Sequence, residues 1–308
     1  MMQKEKQLNL LGKGFLFLAT LIWGTSFTVL KNSIETLPVM FVLAIRFFTS
    51  ALVLFIVFYK RFLVISKRTL ITGLVLGCIL ASAYLLQTYG LVGVSAGENA
   101  FLTSTYIILV PFMCWFFFKR RPDVFSFVAG GVCLLGIGMI AFSGGDGFSI
   151  GLGQGLTLVC AIFYALQIIV ISHYGSKEDP MVTLCLELGV VGVVCLIGSL
   201  TFEVGRTEIA LNGGLILSLL YMTFLCTLGA QGLQMVGQKF VDTSSSALIL
   251  SLESVFGLLF SLMLGNEDLT VFSAIGFALI FIAVLVSETK LKFITKFFTK
   301  EEGEKTND

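Results

Sequence analysis

The sequence predicts an all-α integral membrane protein whose ten transmembrane helices form two inverted five-helix repeats. Three observations predict this: an apolar composition, charge-poor stretches recurring along the whole chain, and a weak resemblance of one half to the other. Of 308 residues, 56% are hydrophobic and 13% charged, against roughly half apolar and a quarter charged in a soluble globular protein. A spanning helix takes about 20 mostly apolar residues, so ten crossings use about 200 and leave no room for a separate soluble domain. A formal net charge of +1 gives nucleic-acid binding no support.

Charge-poor stretches mark spans at 14–32, 37–58, 69–91, 97–118, 124–143, 150–172, 180–202, 212–238, 243–265 and 270–287. Lipid cannot satisfy free backbone amides and carbonyls, and these stretches lack the alternation of barrel strands, so each reads as a helix. The first span follows Lys4, Lys6 and Lys13 and begins with the apolar run Phe15 to Leu21. That pattern imitates a secretory signal, but no small-residue cleavage site stands out and similar segments follow, so it reads as a span. The seven cysteines all fall inside apolar runs without a CxxC pair, which argues against a disulfide framework or a zinc site.

Orientation follows from the Lys and Arg distribution. With the N-terminus inside, seventeen of the twenty fall in inner segments, against Lys31 and Arg206 outside and Arg46 within a span. Such a bias predicts both termini in the cytoplasm, in a plasma or inner membrane. The chain then divides into a cytoplasmic tail at 1–13, repeats at 14–146 and 147–289, and a basic amphipathic tail at 290–308. In that tail, Phe293, Ile294, Phe297 and Phe298 alternate with Lys292, Lys296 and Lys300, as in a helix lying on an anionic leaflet.

Setting each residue against one 141 to 148 positions later aligns Gly14 with Gly155, Trp23 with Tyr164, Ser26 with Gln167, Gln87 with Gln234 and Ser95 with Thr243. It also lays Val124-Phe125-Ser126 on Val271-Phe272-Ser273. Each half holds an odd number of spans, so the second copy enters the membrane from the opposite face. A solute site is then expected near the midplane between the copies.

The run Leu21-Ile22-Trp23-Gly24-Thr25-Ser26-Phe27, Arg46 in the second span, Ser95-Ala96-Gly97-Glu98-Asn99-Ala100 at the start of the fourth and Ser251-Leu252-Glu253-Ser254-Val255-Phe256 in the ninth carry a resemblance. On these residues the chain resembles the drug/metabolite transporter superfamily, in its ten-helix members with two EamA-type repeats, over nearly everything but the tails. The resemblance implies a carrier of amino acids, metabolites or drugs. Ser254 departs from it, since members often carry Pro after the Glu, and a helix break at that point loses its support.

Polar side chains inside a bilayer usually turn to a partner or a cavity. In the eighth span Thr227, Gln231, Gln234 and Gln238 share one face, as do Asn99, Thr103 and Tyr106 in the fourth. Cys160, Tyr164 and Gln167 do so in the sixth, and Tyr84, Gln87 and Thr88 lie together in the third. These stripes point to a pathway for a polar or amphipathic solute, with interhelical hydrogen bonding as the competing reading. The candidate substrate-binding residues are therefore Trp23, Tyr84, Gln87, Asn99, Thr103, Tyr106, Tyr164, Gln167, Gln231 and Gln234. Glu253 falls about halfway along the ninth span, where a carboxylate can exchange a proton or hold a cationic group. Arg46 is a candidate contact for a solute carboxylate and Glu187 for an inner gate, each weighed against a structural ion pair or a snorkelling charge. Glu98 reads as a solvated acid at a helix start.

Enzymatic readings find little support. Gly93-Val94-Ser95-Ala96-Gly97 satisfies GxSxG, but it joins two spans, and the single histidine, His173, is expected at the other membrane face. No P-loop motif appears, and ligands for a metal are lacking. The expected partners are a small-molecule solute, the lipid bilayer and a proton, with no cofactor, no metal and no nucleic acid. The sequence carries no signal of oligomeric state. The function expected is export by alternating access. An uncoupled facilitator or uptake carrier remains an alternative, as does a channel or non-transporting scaffold.

Overall fold

The computed structural model describes residues 2–119, 121–122, 124–141, 150–175, 178–203, 212–264 and 269–289. The expected C-terminal amphipathic helix and Arg206 lie outside the described residues. The helices are α1 (Met2–Ile34), α2 (Val39–Phe62), α3 (Lys67–Val92), α4 (Ala96–Thr103), α5 (Tyr106–Phe118), α6 (Val124–Ala141), α7 (Leu152–His173), α8 (Pro180–Phe202), α9 (Gly213–Tyr221), α10 (Ala230–Gly237), α11 (Thr243–Met263) and α12 (Val271–Thr289). A π-helical segment, Met222–Gly229, fuses α9 to α10, and α4 with α5 makes one span, so the described residues cross ten times. Eight spans are long and strongly apolar. The other two, α6 and α12, hold 18 and 19 residues, within the range of about 17–25 that a crossing requires.

Loop side chains define where spans begin. Ser66 accepts from Thr69 N at 2.9 Å, Asn212 from Leu215 N at 2.9 Å and Asp242 from Ser245 N at 2.9 Å, each satisfying an amide that has no intrahelical partner. Asp179 accepts from Met181 N and Val182 N ahead of Pro180, which loses nothing by lacking an N–H there. The first amides of α2 are capped from across the bundle, where Glu203 takes Met40 N at 2.8 Å and Phe41 N at 2.9 Å. Ser95 accepts from Glu98 N, so the serine of the GxSxG match serves as a helix cap.

Three spans depart from a plain α-helix, and in α2 the departure is a kink at Phe58, where φ is -111° and ψ 17°. Between α4 and α5, Ile107 N bonds Ser104 O and Ile108 N bonds Thr105 O, three-residue turns that tighten the chain, while the Thr105 hydroxyl takes Leu102 O at 2.7 Å. The π segment loosens the chain instead, and its carbonyls find side-chain donors: Thr227 on Met222 O, Ser50 on Thr223 O and Trp23 on Cys226 O. At Ser254, α11 runs unbroken and the serine hydroxyl bonds back to Ser251 O.

Packing pairs α2 with α8, α6 with α12, α1 with α11 and α10, and α3 with α7 and α8. Small residues set several crossings. A Cβ on Gly90 would lie 2.9 Å from Gly153 O, and one on Gly153 would lie 2.8 Å from Gly90 O. Gly12 and Gly237 repeat this reciprocal contact between α1 and α10, at 2.9 and 3.0 Å. The Gly73 and Gly77 pair receives Leu186 and Val190 of α8. Because backbone atoms obstruct both positions, joined at Gly90 by the Thr157 hydroxyl, a methyl group there forces the helices apart. Gly153→Ala and Gly90→Ala are expected to lose about 1–3 kcal/mol. Gly155→Ala and Gly14→Ala, where nothing lies within 4 Å, should be neutral or slightly stabilising; thermal unfolding in detergent makes the comparison.

Candidate functional site

A pocket lies at the middle of the bundle. Its wall takes Trp23, Ser26, Phe27 and Leu30 from α1, Arg46 from α2, Tyr84 and Gln87 from α3 and Tyr106 from α5. Tyr164, Gln167 and Ile168 of α7, Gln231 and Gln234 of α10, and Leu250 and Glu253 of α11 complete it. Its volume of about 40 Å³ compares with the 10–15 Å³ or so that a single water needs, so this conformation closes tightly around the polar groups.

Ten of the thirteen residues singled out from the sequence line this pocket, and the other three stand directly behind it. Asn99 donates to Gln87 O at 3.2 Å and to Thr157 Oγ1 at 2.8 Å. Thr103 Oγ1 accepts from Gln87 Nε2 at 3.1 Å, and Glu187 Oε1 accepts from Gln167 Nε2 at 2.8 Å. Thr103 and Glu187 hold glutamine amides of the pocket wall and Asn99 holds the Gln87 backbone, while none of the three lines the pocket itself. The helical stripes grouped residues by the face of their own helix; which members of a stripe line the pocket depends on where neighbouring helices cross.

The aromatic residues are fixed by hydrogen bonds and by one another. Tyr164 donates to Gln87 Oε1 at 2.7 Å, Gln231 Nε2 donates to the Tyr84 hydroxyl at 3.1 Å, and the two tyrosine rings meet edge to face at 5.9 Å. The Trp23 indole is anchored by Cys226 O at 2.8 Å. Tyr106 is the first residue after the break between α4 and α5, and its hydroxyl donates to the Glu253 carboxylate. Gln231 is the second residue after the π segment. Both irregular stretches thus deliver side chains to the pocket wall.

Arg46 is 1% exposed, and burying a charge so deeply demands compensation. Its Nε donates to Thr227 Oγ1, and its guanidinium carbon sits 5.3 Å from the Phe47 ring centre and 5.1 Å from that of Tyr84. Its Nη2 has no hydrogen-bond partner. No carboxylate reaches it: the ion pairs among the described residues are Arg61 with Asp179 and Arg68 with Glu178. The alternative of a structural ion pair for Arg46 or Glu187 therefore finds no partner among those residues. Glu187 is wholly buried, and its Oε2 is unpartnered.

Sequence reasoning left Ser26, Phe27, Leu30, Ile168 and Leu250 out of the site. The first three follow Trp23 at intervals of three, four and seven, one helical face, and that spacing was the available signal. The polar stripe of the eighth span is shorter than the spacing implied. Gln231 and Gln234 reach the pocket, Thr227 serves Arg46, and Gln238 is buried with both amide atoms unpartnered. Glu98 accepts from Gln154 Nε2 at 2.6 Å at the start of its helix. His173 stacks on Phe118 with ring centres 4.0 Å apart. All seven cysteines are free thiols, and no three His, Cys, Asp or Glu side chains converge as a metal site would need among the described residues.

Residues 10–142 and 151–289 each match the EamA-like transporter family. An uncharacterized transporter of Archaeoglobus fulgidus is 34% identical over 273 residues, covering 88% of this chain and 83% of its own. The uncharacterized transporter YoaV of Bacillus subtilis is 26% identical over 151 residues, or 48% of this chain and 51% of its own. A solved crystal structure superposes with a TM-score of 0.69 at 16% identity, covering 93% of this chain and 99% of that one, a likeness of fold. The chain belongs to the EamA-like transporter family and is a multi-pass membrane transporter.

Proposed function

We propose that the protein is a secondary carrier that exports a small organic solute by alternating access, coupled to protons through Glu253. The observation that carries this reading is the chemistry of the central pocket. It presents a guanidinium with a free N–H group, a carboxylate held by a tyrosine, four glutamine amides and an aromatic wall. Such a set suits a solute with an anionic group, a hydrogen-bonding body and an apolar face. Arg46 takes the anionic group, the glutamines orient the body, and Trp23, Tyr84, Tyr106 and Tyr164 pack against the apolar part. Asn99, Thr103 and Glu187 act as positioning residues through Gln87 and Gln167.

Alternating access in this proposal comes from two inverted copies, residues 14–146 and 147–289, with both termini in the cytoplasm of a cell bounded by this membrane. The crossing glycines support it. Gly12 packs on Gly237 as Gly153 packs on Gly90, and an offset of 141 carries Gly12 to Gly153 while one of 147 carries Gly90 to Gly237. The helix pairing supports it too, since α1 with α10 answers α7 with α3 when the copies are exchanged.

Four measurements test the proposal. In proteoliposomes, labelled solute should show saturable counterflow, and net transport driven by an imposed proton gradient that a protonophore abolishes; net flux indifferent to gradient and protonophore indicates an uncoupled facilitator, and the absence of counterflow a channel or scaffold. Glu253→Gln should keep counterflow yet lose its pH dependence, and a variant with wild-type rate and pH profile removes Glu253 from coupling. Arg46→Gln should weaken apparent affinity for a carboxylate-bearing solute by roughly 10- to 100-fold, the loss of one charge-assisted hydrogen bond. Cysteines placed at Gly14 and Gly155 in a background without native thiols should label from opposite faces, and labelling from one common side overturns the inverted arrangement.

A further inference from the structure

Away from the pocket, the outer surface of the bundle carries a groove between α2, α3 and α8. Phe48, Leu52, Phe55 and Phe62 form one wall, Leu74 of α3 stands on the other, and Gly189 lies in the floor. The groove measures about 570 Å³, against about 260 Å³ for a second groove between α2 and α8. Phe48 to Phe62 is a step of fourteen residues along α2, which kinks at Phe58, about 21 Å at 1.5 Å per residue, enough to run through one leaflet of about 15 Å. A Cβ at Gly189 would meet only the Ala51 Cβ, at 3.8 Å, so the absence of a side chain there keeps the floor open.

The two grooves differ in charge where they reach the membrane surface. Phe62 brings the larger groove to the start of the loop 63–66, which is bounded in sequence by Lys60 in the last turn of α2 and Lys67 at the start of α3. Both lysines are exposed, and the ion pairs beside them are made by Arg61 and Arg68 instead. Lys67 and Leu74 are seven residues apart, two turns, and so share the face of α3 that forms the groove wall. The smaller groove ends at Glu203, whose carboxylate is bound to the amides of Met40 and Phe41.

We propose that the larger groove seats an acyl chain of an anionic phospholipid whose phosphate is held by Lys67 and Lys60. Apolar length and cationic rim are both required for such a ligand, and only the larger of these two grooves has both. A zwitterionic lipid gains the apolar contact without the net charge attraction, and free phosphate gains the lysines without the groove. The proposal is independent of the solute and of the direction of transport.

Native mass spectrometry of the purified full chain, titrated with phosphatidylglycerol or phosphatidylcholine of identical acyl chains, tests it. One phosphatidylglycerol should be retained in preference to phosphatidylcholine, with the preference falling about fivefold for each lysine changed in Lys60→Gln and Lys67→Gln. Gly189→Phe, which fills the floor, should lower retention of both lipids. Gly131→Phe on α6, where nothing lies within 4 Å, should leave retention unchanged, and equal thermal stability of all variants without lipid excludes misfolding as the cause. Equal retention of the two lipids by the wild-type chain, unchanged phosphatidylglycerol binding in the lysine variants, or displacement of the lipid by inorganic phosphate alone would each overturn the proposal.

Discussion

Lipid offers a backbone no hydrogen bonds, and in a chain that crosses it ten times every amide and carbonyl needs a partner within the protein. Most obtain one from their own helix. The exceptions are concentrated between α4 and α5 and in the π segment ahead of α10, and side chains take over there: Thr105 for Leu102, Thr227 for Met222, Ser50 for Thr223, Trp23 for Cys226. Each irregular stretch is followed at once by a pocket residue, Tyr106 in one case and Gln231 soon after the other. A backbone that departs from the α-helix in a membrane is tolerated where protein surrounds it, and here that requirement coincides with the pocket wall. π segments recur at functional sites in other proteins for a related reason, since they re-aim the side chains that follow.

Charge burial follows the same logic. Arg46 is surrounded by two rings and a hydroxyl in place of a counter-ion, an arrangement that satisfies part of the guanidinium and leaves Nη2 buried without a hydrogen-bond partner. An acid placed against it would have quenched the site. Glu253 instead meets a tyrosine hydroxyl, and Glu187 an amide. Charged pairs do occur, but at the bundle end where Arg61, Arg68, Asp179 and Glu178 join the loops after α2 and α7. Lys239 adds a bond to Glu178 O at 2.9 Å there, so three loops are tied together at that end while the interior cations and acids stay apart.

Close helix crossings make such a narrow interior possible. Without an aqueous hydrophobic effect between spans, association in a bilayer relies on van der Waals contact and on interhelical hydrogen bonds. Glycines at Gly12, Gly90, Gly153 and Gly237 let backbones touch, which draws α1 to α10 and α3 to α7. Those four helices carry most of the pocket's polar groups, and their proximity lets a hydroxyl on one reach an amide on another, as Tyr164 reaches Gln87.

Much of this was legible before any coordinates. Apolar runs marked the ten spans because crossing a bilayer demands them, whereas the side chains that cap helix starts, such as Ser66, Asp179 and Asp242, emerged from the structure. Helical spacing also grouped Tyr84 with Gln87 and Gln231 with Gln234, since period alone assigns a face. Tertiary structure alone decided which members of a stripe meet the cavity and which support it: Asn99 and Thr103 share a face with Tyr106, yet only Tyr106 reaches the pocket, because α7 covers the other two. It also decided that no acid among the described residues pairs with Arg46 and that the eighth span adopts a π turn. Those outcomes depend on distances between helices remote in sequence, which a one-dimensional pattern of residues does not contain.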